Sequence, residues 1–78
     1  MYIVKIHDDG ETKIERYYDL IDAANVFSIE VGGEEITNSP LNFHCVGAGN
    51  EVAQDFQEFG TLEVSIPECN YVATLYRS

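Results

Sequence analysis

The residues best able to bind a metal or act as nucleophiles are His7, His44, Cys45 and Cys69. Their number matches a Cys₂His₂ zinc site, but His44 and Cys45 are adjacent in a predicted strand and so point to opposite faces. A Cys–His nucleophile would also need an oxyanion hole and a third orienting group, which no pattern supplies. We therefore predict no metal, no cofactor and no catalysis, and two reduced, partly buried thiols of a cytosolic protein.

A second group of reactive side chains is a stripe of carboxylates in a predicted helix over 51–59. Glu51, Asp55 and Glu58 recur at i, i+4 and i+7, about 4.5–6 Å apart along the helix axis. Like charges at this spacing destabilise a helix by about 0.2–0.5 kcal/mol per pair. We interpret the stripe as an acidic ridge offered to a basic surface. The alternative is a solvated face that serves solubility.

The charge of the whole chain supports a basic partner. The formal net charge is −10, from 14 Asp and Glu against 4 Lys and Arg. Between Tyr17 and Tyr76 there are ten acids and no Lys or Arg, and the pair Glu34 and Glu35 belongs to this stretch. Such a charge steers cationic surfaces inward and disfavours nucleic acid and anionic membranes as direct partners.

The length and the apolar content predict one domain over 1–78 with one core. A chain of 78 residues with 45% hydrophobic residues can fold, but leaves little material for a deep pocket. No segment approaches the ~18–20 apolar residues of a membrane helix, and the N-terminus has no signal-peptide pattern. We therefore expect a cytoplasmic location.

An N-terminal hairpin is the first element that positions these residues. Alternation over 1–7 predicts a strand with Tyr2, Val4 and Ile6 on one face, an Asp-Asp-Gly turn follows, and 11–18 returns as a second strand. Tyr17 and Tyr18 are consecutive, so one of them must face away from the core. We include Tyr17 among the candidate partner-binding residues because exposed tyrosines are favoured at interfaces.

A helix over 20–31 is the clearest element of the chain. Asp19 is a suitable N-cap, and Gly32 with Gly33 ends the helix. The buried stripe recurs at helical spacing. It consists of Leu20, Ala23, Ala24, Phe27 and Val31.

The remaining elements complete an α+β pattern. We predict a loop over 34–40, a strand over 41–46, and the short helix over 51–59, capped by Asn50 and stopped by Gly60. Strands over 61–66 and 70–76 then pair through a turn. The order β-β-α-β-α-β-β predicts a largely antiparallel sheet of four to five strands, with one long and one short helix on one face.

In size, charge and element order the whole chain resembles the small acidic proteins that phages carry against bacterial defences, including anti-CRISPR proteins and restriction-blocking DNA mimics. No residue motif carries this resemblance. It implies a viral protein in the host cytoplasm that acts stoichiometrically, as a nucleic-acid mimic or steric blocker, on a basic nucleic-acid-binding effector. The candidate contact residues are Glu51, Asp55, Glu58, Glu34, Glu35 and Tyr17.

A different class of function is consistent with the same residues. The chain could be a non-catalytic adaptor or subunit-contact module that binds through a sheet edge or exposed tyrosines, its acidity serving only solubility. The edge of the first hairpin could also support a homodimer, although the net charge opposes close self-association at low salt. The expected state is therefore a monomer or a homodimer.

Overall fold

Two helices cover one face of a four-stranded antiparallel sheet in the computed structural model, so the predicted α+β class is confirmed. The structure describes residues 1–32, 34–36, 44–45 and 48–78. The helices are α1 (Leu20–Val31) and α2 (Gly49–Phe59). The strands are β1 (Tyr2–Asp8), β2 (Glu11–Tyr17), β3 (Glu35–Ile36), β4 (His44–Cys45), β5 (Leu62–Ile66) and β6 (Tyr71–Arg77).

The order of strands in the main sheet is β2-β1-β6-β5. The first hairpin turns through Asp9 and Gly10, whose φ angles of 50° and 88° are the left-handed pair typical of a two-residue loop. β1 then pairs with β2 from Tyr2↔Tyr17 to Asp8↔Glu11. This register places Val4 and Ile6 on the face under the helices, where both are buried, as the alternation predicts.

The bounds of α1 match the prediction. Asp19 occupies the N-cap position with an extended backbone, but its side chain makes no capping hydrogen bond. Gly32 closes the helix in the left-handed region, with φ of 51°. Four of the five predicted stripe residues are buried, and the fifth, Leu20, is half-buried against the core.

The segment between the helices differs from the prediction. Part of the predicted loop over 34–40 forms β3, which pairs with β4 in a separate two-stranded sheet. The predicted strand over 41–46 is therefore β4 at His44–Cys45 and lies outside the main sheet, while 41–43 and 46 lie outside the described residues. This pairing depends on contacts between two separate backbone segments, and the residue types within one segment do not predict it.

α2 begins two residues before the predicted start. Ala48, not Asn50, is the N-cap residue, and no side chain caps the helix. Gly49 is instead buried against α1, where a β-carbon would lie 1.7 Å from Asn25 Oδ1. The first turn of α2 therefore packs closely on α1 and has no capping side chain.

The core lies between the helices and the main sheet. Its largest fully buried side chains come from both layers: Phe27, Leu62, Leu75, Val4, Val52 and Val64. A short 3₁₀ turn, Pro67–Cys69, and Asn70 with φ of 52° connect β5 to β6, so the predicted C-terminal hairpin is confirmed. Within the described ranges, neither helix has the length and apolar content needed to cross a membrane.

Candidate functional site

The solvent-facing sides of α1 and α2 form an acidic layer. The two helices carry five carboxylates and no Lys or Arg. Both helices lie on the same face of the main sheet, so these carboxylates belong to one side of the molecule. They are Asp22, Glu30, Glu51, Asp55 and Glu58.

The predicted stripe of α2 is exposed at two of its three positions. Glu51 and Glu58 are exposed, whereas Val52 and Phe56 on the other side are buried. Asp55 is half-buried and interacts with other groups of the chain. Glu51 and Glu58 are therefore the members of the stripe that are most accessible to a partner.

The carboxylates in the last turns of the two helices have different surroundings. Glu30 in α1 lies 3.6 Å from the Lys13 ammonium group, measured from Oε1 to Nζ. Glu58 occupies the corresponding turn of α2, which contains no basic residue. A carboxylate at this end faces the negative pole of the helix dipole and destabilises the helix. Glu58 therefore lowers the stability of its own helix.

The two other predicted acidic residues follow α1. Glu34 is exposed, and its backbone N–H donates to the Val31 carbonyl oxygen at 3.2 Å. Glu35 begins β3, and its side chain lies outside the described residues. Glu34 thus lies next to the C-terminal end of α1, close to the acidic layer along the chain.

The pair of adjacent tyrosines is divided between the core and the solvent. The register Tyr2↔Tyr17 turns Tyr17 toward the helices, where it packs against the core and its hydroxyl donates to Glu15. Tyr18 is 85% exposed. Strand alternation predicts that one of the two faces outward, but only the register of β2 against β1 decides which one. Tyr18 is therefore an accessible residue that the sequence reasoning did not select.

Three side chains of β2 form a row at the border of the acidic layer. The carboxylate of Glu15 accepts from the Tyr17 hydroxyl and lies 2.9 Å from the Lys13 ammonium, and both contacts lower the pKa of Glu15. The same hydrogen bonds with Glu15 raise the pKa of Lys13 and of Tyr17. The one lysine on this side is thus neutralised within the chain.

The opposite face of the main sheet, which the helices leave uncovered, carries more basic than acidic strand residues. We call it the open face. Strand register places on it Lys5 and Arg16 but a single carboxylate, Glu63. A shallow depression of about 360 Å³ lies there. It is lined by Lys5, His7, Thr12, Glu63, Val72 and Thr74.

Two features of the open face concern its apolar residues. Ile3 is buried although no helix covers it, because its neighbours across the strands are the long side chains of Arg16 and Tyr76. Ile14, on the outermost strand β2, is 44% exposed. The apolar surface of the open face is therefore covered by neighbouring side chains at Ile3, and it is exposed to solvent at Ile14 on the edge strand.

The two described side chains considered for metal or thiol chemistry, His7 and Cys69, lie in different elements of the fold. Cys69 is a free thiol in the turn before β6 and is exposed, so the prediction that it is partly buried is wrong. It is exposed because the 3₁₀ turn carries no buried residue. His7 lies on the open face, with Nδ1 2.9 Å from the Thr12 hydroxyl oxygen. The side chains of His44 and Cys45 lie outside the described residues.

Comparison with known proteins adds no relative. No family model matches the sequence, and no curated protein and no solved structure match the chain.

Proposed function

We propose that the protein binds a basic, nucleic-acid-binding surface of another protein through the acidic layer and inhibits that partner stoichiometrically. The observation that carries the proposal is the acidity of the two helices on one side of the main sheet, where the strands add the bases Lys13 and Arg77. Five carboxylates and no base lie on the helices, whereas the open face carries Lys5 and Arg16. A basic surface is therefore attracted to one side of the molecule.

The spacing of the carboxylates suits a surface that normally binds phosphates. Duplex DNA carries a charge every 3.4 Å per strand, and the carboxylates of α2 form a regular but less dense row, with axial steps of about 4.5–6 Å. Because the apolar side of the helix packs on the core, the backbone positions that carry these carboxylates keep their spacing in the absence of a partner. Such an array competes for Lys and Arg side chains without losing much conformational entropy.

The position of Glu58 further supports a binding role. A Lys at this position would interact favourably with the helix dipole and with Asp55, so the existing residue opposes local stability. Residues that break a local rule in this way occur at functional sites more than elsewhere.

The class of partner follows from chemistry, and its biological setting from the resemblance in size, charge and element order. We propose a phage protein that acts in the host cytoplasm on a bacterial defence effector such as a CRISPR–Cas protein. It would act there as a nucleic-acid mimic or a steric blocker.

The decisive experiment compares two charge-reversal variants of equal net charge. Immobilised wild-type protein is exposed to bacterial lysate, and bound proteins are eluted with a salt gradient or with a short DNA duplex. The double variant Glu51→Lys/Glu58→Lys should retain at least about tenfold less bound protein than wild type. Two exposed carboxylates are replaced by ammonium groups, which repel a basic partner.

The control variant is Glu11→Lys/Glu68→Lys, which changes two exposed carboxylates outside the helices. It should retain the bound proteins. Circular dichroism must show that both variants are folded. Equal retention by the two variants, or elution that does not depend on salt, contradicts the proposal.

A second candidate function is an adaptor that binds through the β2 edge and Tyr18. The observation that favours it is the 85% exposure of Tyr18, directly beyond the outermost strand. Under this alternative, binding persists in the Glu51→Lys/Glu58→Lys variant and is lost in Tyr18→Ala.

A further inference from the structure

The outer edge of β2 is open to another strand. Among the described residues β2 pairs only with β1, and the pairing is continuous over seven residues without a bulge. β2 contains no proline, and an uninterrupted edge of this kind is a template for strand addition.

Hairpin geometry determines which backbone groups point outward. The two residues that flank a two-residue turn, Asp8 and Glu11, form a hydrogen-bonded pair, and such pairs alternate along an antiparallel ladder. The N–H and C=O groups of the intervening residues of β2 therefore point away from β1. These residues are Thr12, Ile14 and Arg16.

We propose that two copies of this chain pair along β2 in antiparallel orientation, with Ile14 on the two-fold axis, to give one eight-stranded sheet. The outward residues Thr12, Ile14 and Arg16 are symmetric about Ile14. A two-fold centred there brings Thr12 opposite Arg16 and Ile14 opposite itself. The register uses every outward backbone group and forms about six hydrogen bonds.

Charge complementarity in this register identifies the partner as a second copy. Lys13 of each chain lies directly opposite Glu15 of the other, on the helix side of the sheet. Each Lys13 already contacts Glu15 of its own strand, at 2.9 Å. The four side chains then form a square in which every neighbour carries the opposite charge. A strand shifted by two residues would lose this arrangement.

The open face gains apolar contact in the same register. Ile14 is 44% exposed in the single chain, although it is a large β-branched residue of a strand. Pairing places the two Ile14 side chains against each other across the axis, which removes apolar surface from water. The most exposed large apolar residue within the strands of the open face is thus covered by its own copy.

Salt separates this interaction from the binding proposed for the acidic layer. Each copy has a formal net charge of −10, so the two chains repel each other at low ionic strength. Screening by salt should strengthen the dimer, whereas it should weaken binding of a basic partner.

Sedimentation velocity over a range of concentrations tests the pairing at 0.05 and 0.5 M NaCl. We expect a reversible shift from the 8.8 kDa monomer toward twice that mass, with a dissociation constant at least about fivefold lower at the higher salt. A chain that remains monomeric up to about 1 mM at 0.5 M NaCl overturns the proposal.

Variants place the contact at the proposed register. Ile14→Lys places two ammonium groups opposite each other on the axis, and their repulsion should raise the dissociation constant at least about tenfold. The matched control is Ile29→Lys, which makes the same change at a 79% exposed residue of α1 and should leave the constant unchanged. Equal behaviour of the two variants overturns the proposal.

A charge exchange gives a readout that loss of folding cannot imitate. Lys13→Glu alone faces Glu15 of the second copy and should weaken the dimer, whereas Lys13→Glu/Glu15→Lys restores complementarity at unchanged net charge. We expect the double variant to recover most of the affinity. A double variant weaker than Lys13→Glu excludes the register.

Discussion

The two sides of the main sheet are built from the same strands but differ in burial and in charge. On the helix side Val4 and Leu75 are fully buried and the covering helices are acidic, whereas the open face carries Lys5 and Arg16. Because successive residues of a strand point to opposite faces, each strand supplies the core and the open face independently. The two sides can therefore differ in net charge without any change in the core.

The largest expected effect comes from removing the centre of the helix side. Phe27 is fully buried, and Phe27→Ala should lower the free energy of unfolding by about 3–5 kcal/mol. A single core in a chain this short supplies roughly 3–5 kcal/mol in total, so the variant should be largely unfolded at 25 °C. Urea denaturation followed by circular dichroism measures this.

The matching change on the open face is Ile14→Ala. Because Ile14 is 44% exposed, the loss should stay below about 1 kcal/mol in dilute protein. A loss as large as that of Phe27→Ala would show that the open face carries a core of its own.

The contact between the helices should give the next largest effect. Gly49→Ala places a methyl group 1.7 Å from Asn25 Oδ1 and 3.3 Å from Asn25 Cα. The overlap should cost about 1–2 kcal/mol after the better helix propensity of Ala is included. Thermal unfolding of Gly49→Ala, Asn25→Ala and the double variant measures the coupling. Strictly additive effects would show that the two residues do not meet.

A smaller effect of opposite sign is expected at the end of α2. Glu58→Lys replaces an exposed carboxylate at the negative pole of the helix by a base, and should raise the free energy of unfolding by about 0.3–1 kcal/mol. Partner binding by the acidic layer should weaken in the same variant. A gain of stability without loss of binding would assign Glu58 to solubility.

The smallest effect concerns pH at the border of the acidic layer. Contacts with Tyr17 and Lys13 lower the pKa of Glu15 in the folded chain, so its ionised form stabilises the fold above the ordinary value of 4.5. Wild type should exceed Glu15→Gln in stability at neutral pH. The difference should disappear as the pH falls through the lowered pKa.

Urea denaturation of both proteins between pH 7 and pH 3 measures this difference. Tyr17→Phe removes the hydroxyl that contributes most to the shift, and should flatten the difference while the ring stays packed. Parallel stability curves for wild type and Glu15→Gln would show that the contacts do not favour the ionised form.

Local signals in the sequence determined the elements that depend on neighbouring residues. The apolar spacing from Leu20 to Val31 and the glycine after it predicted α1 with its observed bounds. The Asp-Asp-Gly turn predicted the first hairpin, and the spacing of Glu51 and Glu58 placed both on the exposed side of α2. A turn, a cap or a helical repeat acts within a few residues and is therefore visible in the chain itself.

Long-range pairing decided the rest. Only the register Tyr2↔Tyr17 shows that Tyr17 packs inward and Tyr18 outward, and only the strand order leaves β2 at an edge. The first residue of α2, Gly49, lies so close to Asn25 of α1 that a β-carbon would overlap it, and this approach is visible only in the folded chain. The opposite charges of the two sides arise in the same way, because residues far apart in the chain share a face only after the strands and helices have packed.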